Sequence, residues 1–290
     1  MTGERQTPTP DTRRQTLDSD GKGPAMGWQA QEEAALDAEA LVLVCRSTRL
    51  TPAAYRYYRA ILLAFVAHSC APDLDAVADL AHAFGAPLAS TLAHMAAQDL
   101  LQRDPATGRI RAAYPFSGVP TPHRVTLFAD QSGERTDQIA AQVYAMCALD
   151  ALGVPLMLRR AAVITSVDAQ TGAAVSVLIR PPADAPEPPA TIPAADWRMR
   201  WDPASVVVYA RPAEHEAEHD AGLCLAEGTC CPITNFFATR STAQAWLSQQ
   251  PSVARDGLVL DQQVALERAH ALFAGVLDRL MDERRLYGTM

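Results

Sequence analysis

The chain has 290 residues, 49% of them hydrophobic and 20% charged, enough to fill a sizeable core and ordinary for a folded globular protein. Its net charge of −8 at pH 7 argues against a general affinity for nucleic acid or anionic membrane. The longest apolar run, residues 60–67, is far too short to span a bilayer, and the polar, Pro/Thr-rich start lacks the apolar stretch of a signal peptide.

Residues 1–26 are rich in Thr, Asp, Gly and Pro, and their polarity predicts disorder. A helix is expected over 28–44, with Ala35, Leu36, Ala40, Leu41 and Val44 on one side. Thr51-Pro52 is a helix start, an N-cap followed by proline at the first helical position. That helix should reach about His68 and bury Tyr55, Ile61, Leu62 and Phe65. Further helices are expected over 74–84, stopped by Gly85, and over 87–101. A turn over 102–108 and a strand over 109–116 complete a winged-helix pattern. Its third helix would read the DNA groove, yet it contains no Arg or Lys. Arg103, Arg109 and Arg111 form the only basic cluster nearby, so a structural role is expected and nucleic acid is not expected as a partner.

The Pro/Gly-rich stretch 115–122 reads as a connector, with a domain boundary near 117–122. A strand over 123–128 precedes the segment 138–153. There Ile139, Val143, Met146, Cys147, Asp150 and Val154 make one apolar stripe at helical spacing, with Gly153 and Pro155 as its stop. Runs over 161–167 and 173–179 flank a turn at 168–172 and predict a hairpin. A Pro-rich loop follows over 181–193, a short β run over 205–210 and an acidic loop over 211–228. A strand is expected over 235–238, and Ser241-Thr-Ala-Gln244 is a capping-box pattern opening the next helix. The last helix is expected over 264–281, with Leu266, Ala269, Leu272, Phe273, Val276 and Leu280 inward.

The expected fold class is α+β: an N-terminal winged-helix-like three-helix segment, then a mixed helix and antiparallel-sheet core. The expected division is a polar extension over 1–48, a winged-helix-like unit over 49–118 and a core over 119–290.

The six cysteines, with no secretory signal, point to a reducing, cytoplasmic compartment and free thiols. Asp150 on an apolar stripe is costly unless it is paired, hydrogen-bonded or protonated, and Cys147 lies one turn before it. Adjacent Cys230 and Cys231 are poorly placed to form a disulfide with each other. Soft thiolates select soft metals, so converging thiols beside a proton donor suit a soft-metal alkyl substrate. Taken alone, Cys147 would also pass for a small core hydrophobe. His215-Glu-Ala-Glu-His219 matches H-E-x-x-H, but Pro212 and Gly222 bracket it and no apolar stripe supports a helix. An acidic solvated loop is therefore expected, with His215, His219 and Cys224 as at most an accessory metal loop; no structural metal site is expected. His123 and Asn235 could line a pocket, but satisfied structural roles are the preferred reading for both.

The run 144–152, Tyr-Ala-Met-Cys-Ala-Leu-Asp-Ala-Leu, resembles the helix motif of the alkylmercury lyases. The run 229–238, Thr-Cys-Cys-Pro-Ile-Thr-Asn-Phe-Phe-Ala, with 242–246 after it, resembles that family's second cysteine segment and trailing helix. Ala113-Tyr-Pro-Phe116 also fits. The resemblance implies cleavage of carbon–mercury bonds, giving mercuric ion and a hydrocarbon. By that resemblance Cys147 and Cys230 are the capturing thiolates, Asp150 relays the proton, and Cys231 is a dispensable neighbour that also touches the metal. It implies an organomercurial substrate, no cofactor, and a mercuric reductase or cellular thiols as acceptors of the product. Two other uses of the same features are a soft-metal (mercury or copper) binding or sensing protein without turnover, and a winged-helix regulator.

Overall fold

A computed structural model of the chain describes residues 50–84, 87–129, 138–185, 191–211, 230–254 and 257–278. The helix expected over 28–44 and the loop carrying His215, His219 and Cys224 lie outside the described residues.

Helix α1 (Pro52–His68) starts as its sequence predicts: the Thr51 hydroxyl accepts from the Ala54 amide at 3.2 Å, with proline next. It buries Tyr55, Tyr57, Tyr58, Ile61, Leu62 and Phe65. Two of those tyrosines end in hydrogen bonds: Tyr55 donates to the Val276 carbonyl and Tyr58 to the Tyr114 carbonyl. Helices α2 (Leu74–Phe84) and α3 (Leu88–Ala97) follow. The third helix ends at Ala97, short of 101, because Leu101–Arg103 is already strand β1. The strand expected over 109–116 is two pieces, β2 (Ile110–Ala113) and β3 (Phe116–Ser117), separated by Tyr114-Pro115. Proline has no amide to give to a ladder, which explains the break.

Strands β4 (Arg124–Phe128), β5 (Ile139–Ala145), β6 (Ala162–Val167), β7 (Ala174–Arg180) and β8 (Arg198–Asp202) join these. Together they make one eight-stranded antiparallel sheet in the order β1-β2-β3-β5-β4-β6-β7-β8. The sheet continues across the Pro/Gly-rich connector at 117–122. A second sheet has the order β10-β9-β11, from β9 (Val207–Ala210), β10 (Asn235–Phe237) and β11 (Leu258–Leu260).

The segment 138–153 is not one helix. Its first half is β5, and helix α4 runs over Ala148–Leu158. Ala141, Val143 and Ala145 alternate inward at period two, and the apparent helical stripe came from joining that alternation to a true helix. Neither Gly153 nor Pro155 ends α4; Arg159, in the left-handed conformation, caps it. Helix α5 (Arg240–Ser248) does open with a capping box, but the pair is Thr239 and Thr242. A short turn of helix, α6 (Pro251–Ala254), leads into β11. Helix α7 (Gln262–Phe273) is capped by Asp261, starting two residues before 264, and Val276 is turn rather than helix. Helix α4 packs against α7 on one side and the sheet on the other, so nearly every α4 side chain is buried.

Candidate active site

Strand β5 delivers the chain to the N-terminus of α4, and Cys147 is its N-cap. The Cys147 sulfur accepts from the Asp150 amide at 3.4 Å, taking a place usually held by a Ser or Asp oxygen. Asp150, in the first turn, is completely buried. The second cysteine segment reaches the same spot from far along the chain. Cys230 opens a turn in which its carbonyl accepts from Ile233, Thr234 and the Thr234 hydroxyl. The Thr234 carbonyl then accepts from the Ala148 amide at 3.1 Å, satisfying one of the orphan donors of α4. Further on, the Ala169 amide donates to the Phe236 carbonyl at 3.2 Å, and Asp168 accepts from Ala238 and Thr242. The Phe-Phe pair straddles its strand: Phe236 lies against His123 and Trp201, and Phe237 against Trp246 on the opposite face.

This anchoring puts the Cys231 sulfur 3.5 Å from Asp150 Oδ2, and the ligand atoms of Cys147, Asp150 and Cys231 all lie within 4.8 Å of one another. The thiol assembled with Cys147 and Asp150 is thus Cys231, whereas the sequence reading set Cys230 there. Cys230 is half-buried outside that group. None of the four described cysteines is in a disulfide.

Burial pushes the Asp150 carboxyl up to about 7, against the hydrogen bonds of Cys147, Cys231 and Tyr114, which favour its ionised form. Its Oδ1 has no hydrogen-bond partner within normal reach, an uncommon state for a buried oxygen. Burial also lifts the Cys147 thiol to about 11, although the hydrogen bonds from Cys231 and the Asp150 amide work the other way. Cys231 is raised well above the usual thiol range, first by its bond with Cys147 and then by burial. Both thiols are therefore protonated at pH 7, and Asp150 is about half-protonated.

A cavity of about 280 Å³ opens onto Cys231, lined among others by Val119, His123, Met146 and Asn235. His123 and Asn235 thus both line a pocket and hold structural bonds. Nδ1 of His123 pairs with the Ser166 hydroxyl at 2.9 Å, its ring bonds the Asn235 side chain, and Asn235 donates to the Pro232 carbonyl at 3.1 Å. Burial lowers His123 to about 4, so it is neutral at pH 7. Cys147 and Asp150 lie behind Cys231 and do not line the cavity. The sequence reading also missed Tyr114 as a partner of Asp150; its only trace was the Ala113–Phe116 motif.

Buried paired thiols over a half-protonated acid define a soft-metal site with a proton source, set in an α+β frame. A family model for alkylmercury lyase (MerB) matches residues 116–274, and the chain belongs to that family. Among solved structures it resembles the mercury-bound form of MerB2, with a TM-score of 0.60 and 16% identity, over 83% of this chain and 99% of that one. Comparison with curated protein sequences gave no match.

Proposed function

We infer that this chain is a carbon–mercury lyase that converts organomercurials to mercuric ion and a hydrocarbon, with Cys231, Cys147 and Asp150 as its working groups. The single observation that carries the assignment of roles is the convergence of those three buried side chains within 4.8 Å in a chain of this family.

The steps follow from the geometry. A substrate R–Hg–X entering the cavity meets Cys231 first. The thiol displaces X, the Cys231 proton leaves with X, and R–Hg–S(Cys231) forms. Asp150, ionised, takes the proton of Cys147, whose sulfur sits at the positive end of α4. That thiolate adds to mercury and pushes electron density onto it, weakening the bond to carbon. Asp150 returns the proton to carbon as the Hg–C bond breaks, and RH leaves. Mercury stays divalent throughout and ends between two thiolates. Free thiols must then remove it, which fits a reducing, cytoplasmic setting with cellular thiols as acceptors. Among the described residues, no helix is long and apolar enough to cross a membrane.

The test is turnover of phenylmercury or methylmercury with excess thiol, reading benzene or methane. Hydrocarbon release by the natural chain, absent from Cys147→Ser and Cys231→Ser variants, is the expected result. Stoichiometric mercury retention with no hydrocarbon would replace the enzyme with a mercury-binding protein.

A further inference from the structure

We propose that His123 is a positioning residue for the reaction: it clamps the strand that delivers Cys147 to the double-cysteine turn, and so sets how the two cysteine segments meet. This rests on the lyase reading above and names the residue that fixes the separation of its thiols. Both ends of the clamp are hydrogen bonds. The His123 carbonyl accepts from the Ala145 amide at 2.9 Å, two residues before Cys147. The ring reaches the other segment. Its Nδ1 is taken by the Ser166 hydroxyl at 2.9 Å, so Nε2 is left for Asn235. The Asn235 side-chain nitrogen donates to the Pro232 carbonyl at 3.1 Å, immediately after Cys231. Its side-chain oxygen is then the group that accepts from Nε2–H, and this bond favours the charged ring, as an acceptor must. With the proton on Nε2, Nδ1 accepts from Ser166. Ser166, His123, Asn235 and Pro232 thus form one run of bonds with every donor pointing the same way.

The run crosses between sheets. Cys147 follows β5 of the eight-stranded sheet, whereas Asn235 opens β10 of the three-stranded one. His123 is 2% exposed, and its ring stands edge-on to Phe236 at 5.7 Å. An apolar ring would fill that place without the desolvation cost of an imidazole. What the imidazole adds is the polar link at both nitrogens. Other bonds also tie the second segment down, from Ala148 to Thr234 and from Ala238 to Asp168, but none of those four residues lines the cavity. His123, Asn235, Pro232 and Cys231 all do. The clamp is therefore part of the wall that a substrate in the cavity meets. Cleavage needs a second thiolate to reach a mercury already held by the first, and a misplacement of about 1 Å can cost about a hundredfold in rate.

The test separates capture of the substrate from its cleavage. Asn235→Ala cuts the link at a half-buried residue, where the fold tolerates a loss best. In a single turnover it should capture phenylmercury as the natural chain does, yet form benzene roughly tenfold to a hundredfold more slowly. His123→Phe keeps a ring beside Phe236, cuts the same link and should behave alike. His123→Gln, whose amide can donate to Asn235 and accept from Ser166, should recover most of the rate. The double variant His123→Phe/Asn235→Ala should be no slower than the slower single one, because both changes break one link. Benzene formation at the natural rate in both single variants would overturn the proposal, and so would losses that multiply in the double variant. A second measurement needs no turnover. Loaded with one equivalent of mercuric chloride and challenged with glutathione, both single variants should hold mercury about tenfold more weakly or worse, since their thiols no longer meet as a pair; equal retention would also overturn the clamp. If the natural chain forms no benzene, the lyase reading falls, and mercury retention alone decides the role of His123.

Discussion

The Cys231 thiol donates to Asp150 Oδ2 at 3.5 Å, across a sequence separation of 81 residues. This contact and the 3.4 Å bond from the Asp150 amide to Cys147 hold one acid between two sulfurs. The acid has a stability consequence. Its folded pKa of about 7 exceeds the ordinary 3.8, so between those values the folded chain holds a proton that the unfolded chain has released. Stability from this group is therefore intact below pH 4, falls as pH rises towards 7, and is level above it. Asp150→Asn should match the natural chain in urea midpoint near pH 4 and exceed it at pH 8, by at most on the order of 4 kcal/mol. The same variant should capture mercury and release no hydrocarbon. A midpoint difference that does not change with pH would show that Asp150 is not held protonated by burial.

Catalysis needs Asp150 ionised when it takes the Cys147 proton. The single-turnover rate of hydrocarbon formation should therefore rise through one ionisation near pH 7 and level off, since Cys147 titrates only at about 11. Tyr114 helps hold that step down. Tyr114→Phe keeps the ring that lies 5.4 Å from Phe273 but removes the hydroxyl, so the step should move to higher pH, with a lower rate at pH 7. A step at the same pH in both proteins would remove Tyr114 from the site.

Much of this was legible in the residues. Thr51-Pro52, the hairpin around 168–172, the α+β class, and Cys147 with Asp150 as a pair all come from local patterns. What was not legible depended on long-range partners. Residues 139–145 carry apolar groups at spacings that suit either a strand or a helix, and only pairing with β3 and β4 decides. Gly153 reads as a helix stop because its close approach to α7 cannot be seen in one dimension. The choice between Cys230 and Cys231 rests on which way a turn faces once Thr234 is bonded to Ala148.

Gly153 is where α4 and α7 meet. A Cβ there would be driven into the ring of Phe273. Both backbones lie in helices against a filled core, so there is little room to give. Gly153→Ala should cost at least about 1–3 kcal/mol in urea unfolding, from overpacking. Phe273→Ala alone should cost about 3–5 kcal/mol through the cavity it leaves. The double variant should be clearly more stable than the sum of the two losses, because the methyl enters the vacated space. Strict additivity would mean that the two residues do not oppose each other.

Asp168 is the anchor that holds the second cysteine segment to the sheet. It is 1% exposed, and its Oδ2 accepts from the Ala238 amide at 2.7 Å and the Thr242 hydroxyl at 2.6 Å. Oδ1 accepts from the amides of Gln170 and Thr171 at 2.8 and 2.9 Å, closing the β6–β7 turn. Burial raises this carboxyl, but the bonds from Thr242, Ala238, Thr171 and Gln170 outweigh it and hold it below the usual 3.8. A depressed folded pKa contributes stability that is present above the unfolded value and is lost as pH falls through the folded one. Asp168 should thus support the fold at pH 7 and cease to do so only in acid below pH 4. Asp168→Ala leaves buried amide and hydroxyl donors without an acceptor, and should cost roughly 3 kcal/mol at pH 7. Asp168→Asn, which keeps the shape but not the charge, should cost less. Because strand β10 follows Cys231 by only four residues, loosening its far end should also lower hydrocarbon release in both variants, in the order of their stability losses. Full activity in a clearly destabilised Asp168→Ala protein would show that the turn at Cys230 and its bond to Ala148 suffice to place Cys231.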